Sequence, residues 1–308
     1  MKINRRALLG AAMVMLLLAG CGQSETQKRK ISKAKREQLR REDSLALKIG
    51  TLPTMDCLPL YVAEQTGLYK KLDVDVRLKA FSSQIDCDAA LVKGRIEGCV
   101  TDLVRSRRMM QRGTALQYFT ATNAYWQLIS NRKSRITNLK QLEEKMVAMA
   151  RFSATDMLTD LAVDSAKLKS ESVFRVQIND PNIRLLMLHN NELDAMCLTE
   201  PQATTARLYK NPVLMDSQKR DLKMGVVCFR SNDMKDKRRA EQLRRFTKAY
   251  NMACDSIRIH GISHYAQVIK DYTHTDDRTL QALPSLTYTH ATPPRQKDID
   301  NANRWLNK

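Results

Sequence analysis

The sequence predicts an α/β protein made of two doubly wound lobes. Strand-like apolar segments alternate with helix-like segments, polar capping residues follow the strands, and glycines close several of the helices. The pattern runs from about residue 47 to residue 122 and then starts again near residue 125. A chain of 308 residues is long for one hydrophobic core and suits two lobes of ordinary size.

The first lobe is predicted from strands that alternate with capped helices. Residues 45–49 are mostly apolar, and residues 72–80 alternate strictly between apolar and charged side chains. Such alternation is typical of a strand with one buried face. Further short strands are expected at 96–100 and 116–122. The residues expected to cap or close the intervening helices are Ser82-Ser83, Gly94, Thr101-Asp102 and Gly113.

The second lobe is predicted from the restart of this pattern. Strands are expected at 125–131, 146–150, 173–178, 194–198 and 225–230, and a long helix at 236–259. Asp180 is assigned to helix capping, because Pro181 follows it at the first helical position. We place lobe 1 at residues 45–124 and 233–308 and lobe 2 at residues 125–232, with the C-terminal helices returning to the first lobe.

The N-terminus has the features of an export signal. Basic residues open the chain, residues 7–18 are apolar, and small residues then lead to Cys21. The order Leu-Ala-Gly-Cys at 18–21 resembles the lipobox of bacterial lipoproteins, in which the peptide is cut before an acylated cysteine. We expect a signal peptide at 1–20 and a lipid on Cys21 that anchors the protein to the cell membrane on its periplasmic or extracytoplasmic side. A plain secretory signal is the alternative.

The positive charge is concentrated partly behind this signal. The chain has a formal net charge of +19, and residues 28–41 contain eight Lys or Arg against one Glu. An exported location argues against a nucleic-acid partner. Residues 21–44 are therefore predicted to be a basic tether, a solvated and partly disordered spacer that could also lie on anionic headgroups.

The remaining cysteines and histidines indicate no metal site. Six cysteines follow Cys21, and most lie in apolar segments, which favours buried free thiols; Cys57 with Cys87 is the one disulfide that we consider. No CxxC or HExxH spacing is present, and Gly261 interrupts the helix between His260 and His264. We expect no metal and no cofactor.

Several segments together resemble a known family. They are "LKIGTLPTMDCLPLYVAEQTGLYKKLDVDVRLKAF", "AALVKGRIEGCVTDL", "NIRLLMLHNNELDAMCLTEP" and "LRRFTKAYNMACDSI". The sequence resembles the substrate-binding proteins of ABC importers of the nitrate, sulfonate, taurine and thiamine-precursor group, from about residue 47 to the end. The resemblance implies a type II periplasmic-binding-protein fold, with crossing strands between the lobes and a small-molecule ligand in the cleft. It also implies an ABC permease and its ATPase as partners, no catalytic residues, and a monomer.

The candidate ligand-binding residues lie at strand-to-helix turns. In open α/β sheets, ligands bind outside the carboxyl ends of the strands, where helix N-termini offer free N–H groups. Capping is the alternative for each residue taken singly. Glu200, before Pro201, matches an acidic position of the family, whereas the turn "ARFSATD" lacks the glycine common there. The candidates are Thr54, Met55, Asp56, Ser82, Ser83, Thr101, Asp102, Phe152, Ser153, Thr155 and Glu200.

The acids among these candidates bear on the ligand. Asp56, Asp102 and Glu200 disfavour a small anion, so we expect a neutral or cationic ligand, such as a nitrogen heterocycle of the thiamine-precursor type. Phe152, Tyr125 or Trp126 would stack on such a ring. A small anion, sulfonate or nitrate, is the alternative ligand.

Two other functions stay open at this point. A pyrimidine-synthase-like enzyme shares the fold family, but the cysteine-rich motif of that enzyme is absent, since the local sequence is "DAMCLTEP". A ligand sensor on the same fold, without transport, is the second alternative. Turnover of a bound pyrimidine would indicate the enzyme, and a neighbouring permease gene would indicate import.

Overall fold

The computed structural model describes residues 25–308, which divide into two compact units. The first unit contains helix α1 (Glu25–Leu45) and ends at Ala46. Lys, Arg, Glu and Gln, which are good helix formers, dominate α1, and its described side chains are almost all exposed. The basic tether is therefore helical here rather than a partly disordered spacer. The predicted signal peptide and Cys21 lie outside the described residues.

The second unit, Leu47–Lys308, contains two five-stranded sheets. The strands of the first sheet, in spatial order, are β2 (Val76–Ala80), β1 (Leu47–Thr51), β3 (Gly98–Asp102), β10 (Gly225–Arg230) and β4 (Leu116–Ala121). Strands β2, β1 and β3 are parallel, whereas β10 is antiparallel to both of its neighbours. This mixed sheet builds lobe 1.

The second sheet repeats this arrangement and builds lobe 2. Its strands, in spatial order, are β7 (Phe174–Gln177), β6 (Met146–Met149), β8 (Ala195–Leu198), β5 (Gln127–Ser130) and β9 (Val213–Asp216). Strands β7, β6 and β8 are parallel, and β5 is antiparallel to β8 and β9. Two sheets of the same order confirm the predicted α/β fold of two doubly wound lobes.

Helices cover both faces of each sheet. Lobe 1 has α2 (Leu58–Gln65), α3 (Leu68–Lys71), α4 (Gln84–Val92), α5 (Leu103–Gln111), α9 (Lys237–His260), α10 (Ala266–Thr273) and α11 (Asp277–Gln281). Lobe 2 has α6 (Ala154–Ala166), α7 (Pro181–His189) and α8 (Gln202–Leu208), and α12 (Gln296–Leu306) ends the chain. Separate apolar clusters fill the two faces of each sheet, which is what a doubly wound lobe requires.

Two elements differ from the sequence-based boundaries. The alternating segment 72–80 becomes a strand only at Val76, because Asp73 takes a left-handed backbone (φ 50°) that forms the turn after α3. Val74 still packs into the core, so the alternation extends beyond the sheet. Strand β10 pairs with β3 and β4, so the chain re-enters lobe 1 before residue 225, whereas the sequence-based boundary was residue 232.

The two lobes are in contact. Leu103 and Val226 of lobe 1 belong to the same buried apolar cluster as Met157 of lobe 2 and Ala302 of α12. Trp305 of α12 donates an indole hydrogen bond to Asp160 on α6 (2.6 Å). The structure therefore shows the lobes closed on each other, with α12 packed across both.

Further features of the described residues bear on the earlier expectations. All six cysteines from Cys57 to Cys254 are free and buried, as predicted from their apolar surroundings. No group of His, Cys, Asp or Glu side chains in residues 25–308 could hold a metal ion. Nor does any helix within that range have the length and apolarity to cross a membrane.

Candidate functional site

A cavity of about 60 Å³ lies between the lobes, at the carboxyl ends of their parallel strands. Lobe 1 lines it with the turns after β1 and β3, and lobe 2 lines it with the turns after β6, β7 and β8. Six of the eleven predicted residues line this cavity, namely Thr54, Asp56, Thr101, Asp102, Ser153 and Thr155. The structure thus brings together residues that are up to 101 positions apart in the sequence.

Asp56 is a buried carboxyl group whose side-chain partners are hydroxyls. The hydroxyl of Thr54 donates to its Oδ1 (2.6 Å), and the hydroxyl of Thr122 donates to its Oδ2 (3.2 Å). Burial raises the pKa of Asp56, and these two hydrogen bonds lower it only in part. A cation or a hydrogen-bond donor in the cavity would therefore interact favourably with this carboxyl group.

Asp102 caps a helix of lobe 1 and also accepts a hydrogen bond from lobe 2. Its Oδ1 accepts the backbone N–H of Arg105 (2.9 Å) and so caps α5. Burial raises its pKa to about 6, and hydrogen bonds from the Arg105 and Ala154 amides oppose that shift. Since Ala154 is the first residue of α6 in lobe 2, a carboxylate of lobe 1 lies at a helix N-terminus of the other lobe.

Three other hydroxyl groups of the cavity wall form hydrogen bonds within their own lobes. The Thr101 hydroxyl donates to Asp88 (3.3 Å), a buried acid that is also paired with Arg105. The Ser153 hydroxyl donates to the carbonyl of Ala150 (2.7 Å), and the Thr155 hydroxyl accepts the Ala150 N–H (2.9 Å). Each of these hydroxyls donates its proton to a protein acceptor, so its oxygen can still accept a hydrogen bond from a group in the cavity.

Five predicted residues do not line the cavity. Ser82 is exposed, and Ser83 caps α4 by accepting the N–H of Asp86 (3.4 Å). Met55 is buried, and its backbone N–H donates to the carbonyl of Glu200 (3.0 Å) across the lobes. The positions outside the cavity are Met55, Ser82, Ser83, Phe152 and Glu200.

Phe152 lies in the turn "ARFSATD", which lacks the glycine that the family resemblance suggested for this turn. Its backbone is left-handed (φ 53°), a conformation that glycine adopts without strain. The ring is 42% exposed and lies beneath the guanidinium of Arg108, 3.5 Å from the ring centroid. Phe152 therefore makes a cation–π contact with lobe 1 instead of facing the cavity.

Glu200 belongs to a buried network behind the cavity. Its Oε1 accepts from the hydroxyl of Tyr125 (2.5 Å) and from Arg207 (2.7 Å), and its Oε2 accepts from the amide and the hydroxyl of Thr204 (3.0 and 2.6 Å). Because these donors saturate the carboxylate, it holds α8 to the start of β5. Tyr125 is likewise engaged here, whereas Trp126 lines the cavity.

The structure adds residues that the sequence reasoning missed. Arg184 of α7 lines the cavity, together with Gln84, Trp126 and Asn179. The sequence pattern of α7 indicates only a helix capped by Asp180, so it does not single out Arg184. The helical spacing of Asp180 and Arg184 was the one available signal, since residues four apart lie on the same face.

A second cavity, of about 520 Å³, lies where the chain crosses between the lobes. The crossing segments 121–125 and 218–223 line it, together with residues 285–295. Asp56 forms part of the wall of both cavities.

Comparison with models of protein families identifies the family of this chain. The family model described as NMT1/THI5 like matches residues 54–260. The chain belongs to the NMT1/THI5-like family. No curated protein matches the sequence of this NMT1/THI5-like chain.

Solved structures share the fold of this NMT1/THI5-like chain. The ligand-binding component of an ABC-type import system from Staphylococcus aureus, with zinc bound, aligns with a TM-score of 0.72 at 15% identity over 85% of this chain and 91% of its own. The alkanesulfonate-binding protein SsuA from Xanthomonas axonopodis pv. citri, bound to MOPS, gives 0.71 at 15% over 85% and 91%. The nitrate-binding protein NrtA from Synechocystis PCC 6803 gives 0.66 at 13% over 76% and 68%. These likenesses support the predicted fold.

Proposed function

We propose that this chain is an extracytoplasmic solute-binding protein that captures a small molecule between its lobes and delivers it to an ABC permease and its ATPase. The observation that supports this most directly is the interlobe cavity, which both lobes line with polar groups. A binding protein is expected to have a cleft that closes around its solute, because a partner can then distinguish the loaded, closed form from the empty, open form. The fold neighbours include binding components of import systems.

The same proposal places the protein at the membrane as a monomer. The lipobox-like sequence ending at Cys21 supports a lipid anchor, and the exposed basic helix α1 suits a spacer between anchor and binding unit. Electrostatic attraction between α1 and anionic headgroups would add to the anchor. Mass spectrometry of the membrane fraction tests this part, since acylated Cys21 would be the N-terminal residue.

The ligand class follows from the charges that line the cavity. Asp56 and Asp102 support the expected neutral or cationic ligand, such as a nitrogen heterocycle of the thiamine-precursor type. Arg184, which lines the same cavity, supports the alternative of a small anion, a sulfonate or nitrate. The small volume of the cavity favours a compact ligand in this closed arrangement.

A thermal-shift screen tests the binding function. The panel contains sulfonates, nitrate, pyrimidines, amines, thiamine and small amino acids, each added to the mature protein. Ligand at 100 times its Kd stabilises a protein by about 2.7 kcal/mol, which raises the Tm of a chain of this size by roughly 5–10 °C. Asp56→Asn should lose the shift, whereas Asp300→Ala, at an exposed acid on α12, should keep it. A panel without any shift would refute the proposal.

A further inference from the structure

Three cysteines of lobe 1 lie in one buried apolar cluster. Cys87 is on α4, Cys99 is on β3, and Cys228 is on β10. All three are free thiols, and none of their side chains is exposed to solvent. The Cys99 thiol is in hydrogen-bond contact with the thiols of both neighbours, so it is the middle one of three adjacent sulfur groups. The binding function proposed above makes no use of this cluster.

A glycine makes room for the thiol of Cys87. Gly50 of β1 is paired with Cys99 of β3 in the parallel part of the sheet. A Cβ built on Gly50 would overlap Sγ of Cys87, so this sulfur atom occupies the place of the missing side chain. Side chains of directly paired residues point to the same face of a sheet. The Cys87 sulfur is therefore a lateral neighbour of the Cys99 side chain.

The backbone register makes Cys228 a poorer partner for Cys99. These two residues lie directly opposite each other in the antiparallel pair of β3 and β10. The amide of Arg230 donates to the carbonyl of Glu97 (2.9 Å), and hydrogen-bonded pairs recur at every second residue of such a ladder. Cys99 and Cys228 are therefore a hydrogen-bonded pair, whose Cβ atoms are about 5.5 Å apart. A relaxed disulfide needs about 3.5–4.5 Å between Cβ atoms, so a bond between these two strands would be strained.

We infer that Cys87 and Cys99 are a site of covalent modification, at which oxidation forms an intramolecular disulfide between α4 and β3. One cysteine thiolate attacks an external disulfide and releases a thiolate, and the second cysteine thiolate then displaces the other half from the mixed disulfide. The two released thiolates take up the two cysteine protons, and the external disulfide gains the two electrons that the cysteines lose. The inference relies on the proposed extracytoplasmic location for this oxidant, since such compartments maintain disulfides, and it is independent of the ligand.

The burial of the thiols determines when the bond forms. Because neither thiol is exposed, an external disulfide reaches them only during folding or when α4 opens locally. Helix α4 spans nine residues, and its apolar side chains Ile85 and Val92 are exposed on its outer face. Opening of this helix uncovers Cys87 first. A reductant meets the same barrier, so the native protein should retain the bond once it has formed.

The bond would lie directly behind the lobe 1 wall of the interlobe cavity. Asp88 follows Cys87 on α4, and Thr101 lies two residues after Cys99. The Thr101 hydroxyl donates to Asp88 (3.3 Å), so the disulfide would run beside an existing contact between the helix and the strand. The loop that it closes is short, from residue 87 to residue 99. Closing a loop of this length should raise the Tm of a unit of this size by roughly 5–10 °C.

Variants separate the disulfide from the packing of the thiols. The Tm of each protein is measured after incubation with oxidised glutathione and again after full reduction. The oxidised sample should melt roughly 5–10 °C higher for the unmodified protein and for Cys228→Ala, whereas Cys87→Ala and Cys99→Ala should show no difference. Because each variant is compared with itself, a general loss of stability cancels. Cys254→Ala, at a buried free thiol on α9, is the matched control and should keep the full difference.

Peptide mapping identifies the bond directly. One sample is purified from the membrane fraction and alkylated at once, and a second is first incubated with oxidised glutathione in urea below the unfolding midpoint. Trypsin without reductant places the three cysteines in separate peptides, residues 80–93, 96–105 and 224–230.

We expect peptides 80–93 and 96–105 to be joined in both samples and peptide 224–230 to be alkylated. A joined pair in the glutathione sample alone would support the site and count against the proposed location. Peptide 96–105 joined to 224–230, or alkylation of all three peptides in both samples, would overturn the inference and leave the binding function untouched. A Tm difference that persists in Cys99→Ala would also overturn it.

Discussion

The substitution Glu200→Ala distinguishes a structural acid from a ligand-binding acid. The sequence points to Glu200 as a residue of the cleft, but the structure places its carboxylate in a network with Tyr125, Thr204 and Arg207. The Glu200 side chain is 3% exposed, and that of Arg207 is 28% exposed. If this geometry is right, the substitution should lower stability and leave ligand recognition intact.

The magnitude follows from the groups that would lose their acceptor. Alanine would leave four hydrogen bonds unmade, one of them from a charged guanidinium. Breaking a buried pair by removing one partner costs about 3–5 kcal/mol, and the partial exposure of Arg207 favours the lower value. About 3 kcal/mol corresponds to a Tm decrease of roughly 6–12 °C for a unit of this size. Glu200→Gln keeps an acceptor and should cost about 1.5 kcal/mol.

The assay is thermal unfolding with and without the ligand found in the screen. Glu192→Ala is the matched control, because Glu192 is exposed on the same lobe and its removal should change stability by less than about 0.5 kcal/mol. The ligand-induced shift should survive in all three variants. A Glu200→Ala protein with an unchanged Tm and no ligand shift would refute the structural interpretation.

Three further predictions concern the same unit. Burial raises the pKa of Asp102 from 3.8 to about 6, so the stabilisation from its protonated carboxyl group is full below pH 3.8 and is lost as the pH rises through 6. The free energy of unfolding of Asp102→Asn, measured by urea denaturation, should therefore gain up to about 3 kcal/mol over that of the unmodified protein between pH 4 and pH 7. Asp276→Asn removes the titrating carboxylate of another helix cap, whose pKa is lowered, and should show the opposite pH trend. Gly50→Ala should cost about 1–3 kcal/mol, because a Cβ there would lie 2.8 Å from Ile96 and closer still to Cys87; an unchanged denaturation midpoint would contradict this packing. The six buried cysteines, with pKa values raised by burial at Cys197 to about 11 and at Cys254 to about 12, should react with a thiol reagent only after denaturation, and fast labelling of the native protein would contradict their burial.

The fold could be predicted from the sequence because its signals are local. Apolar periodicity and polar caps lie within a few residues of each other, and Asp102 caps its helix as expected, while Ser153 caps a helix as the alternative interpretation allowed. The position of β10 could not be predicted in this way. Whether residues 225–230 pair with β5 or with β3 depends on the path of the crossing segments, and an apolar strand of six residues fits either sheet.

The lining of the cavity was predicted only in part, because the direction of a side chain depends on residues that are distant in the sequence. Asp56 and Asp102 face the cavity from turns, where the strand direction already fixes their position. Glu200 stands at an equivalent turn, but the donors that saturate it come from residues 125, 204 and 207. Arg184 shows the reverse case, since a basic residue inside a helix is expected at the surface, whereas the structure leaves it only 6% exposed.

Under the proposed binding function, the charges that line the cavity predict that both lobes take part in recognition. Arg184 of lobe 2 and Asp56 of lobe 1 line the same cavity from opposite lobes. Closing without a ligand removes water from a guanidinium and from a carboxyl group whose pKa burial already raises. If the proposed binding function is right, we expect this cost to disfavour closure of the empty protein and a ligand that pairs with these groups to offset it. The unfavourable burial of the site residues is therefore what makes closure depend on the correct solute.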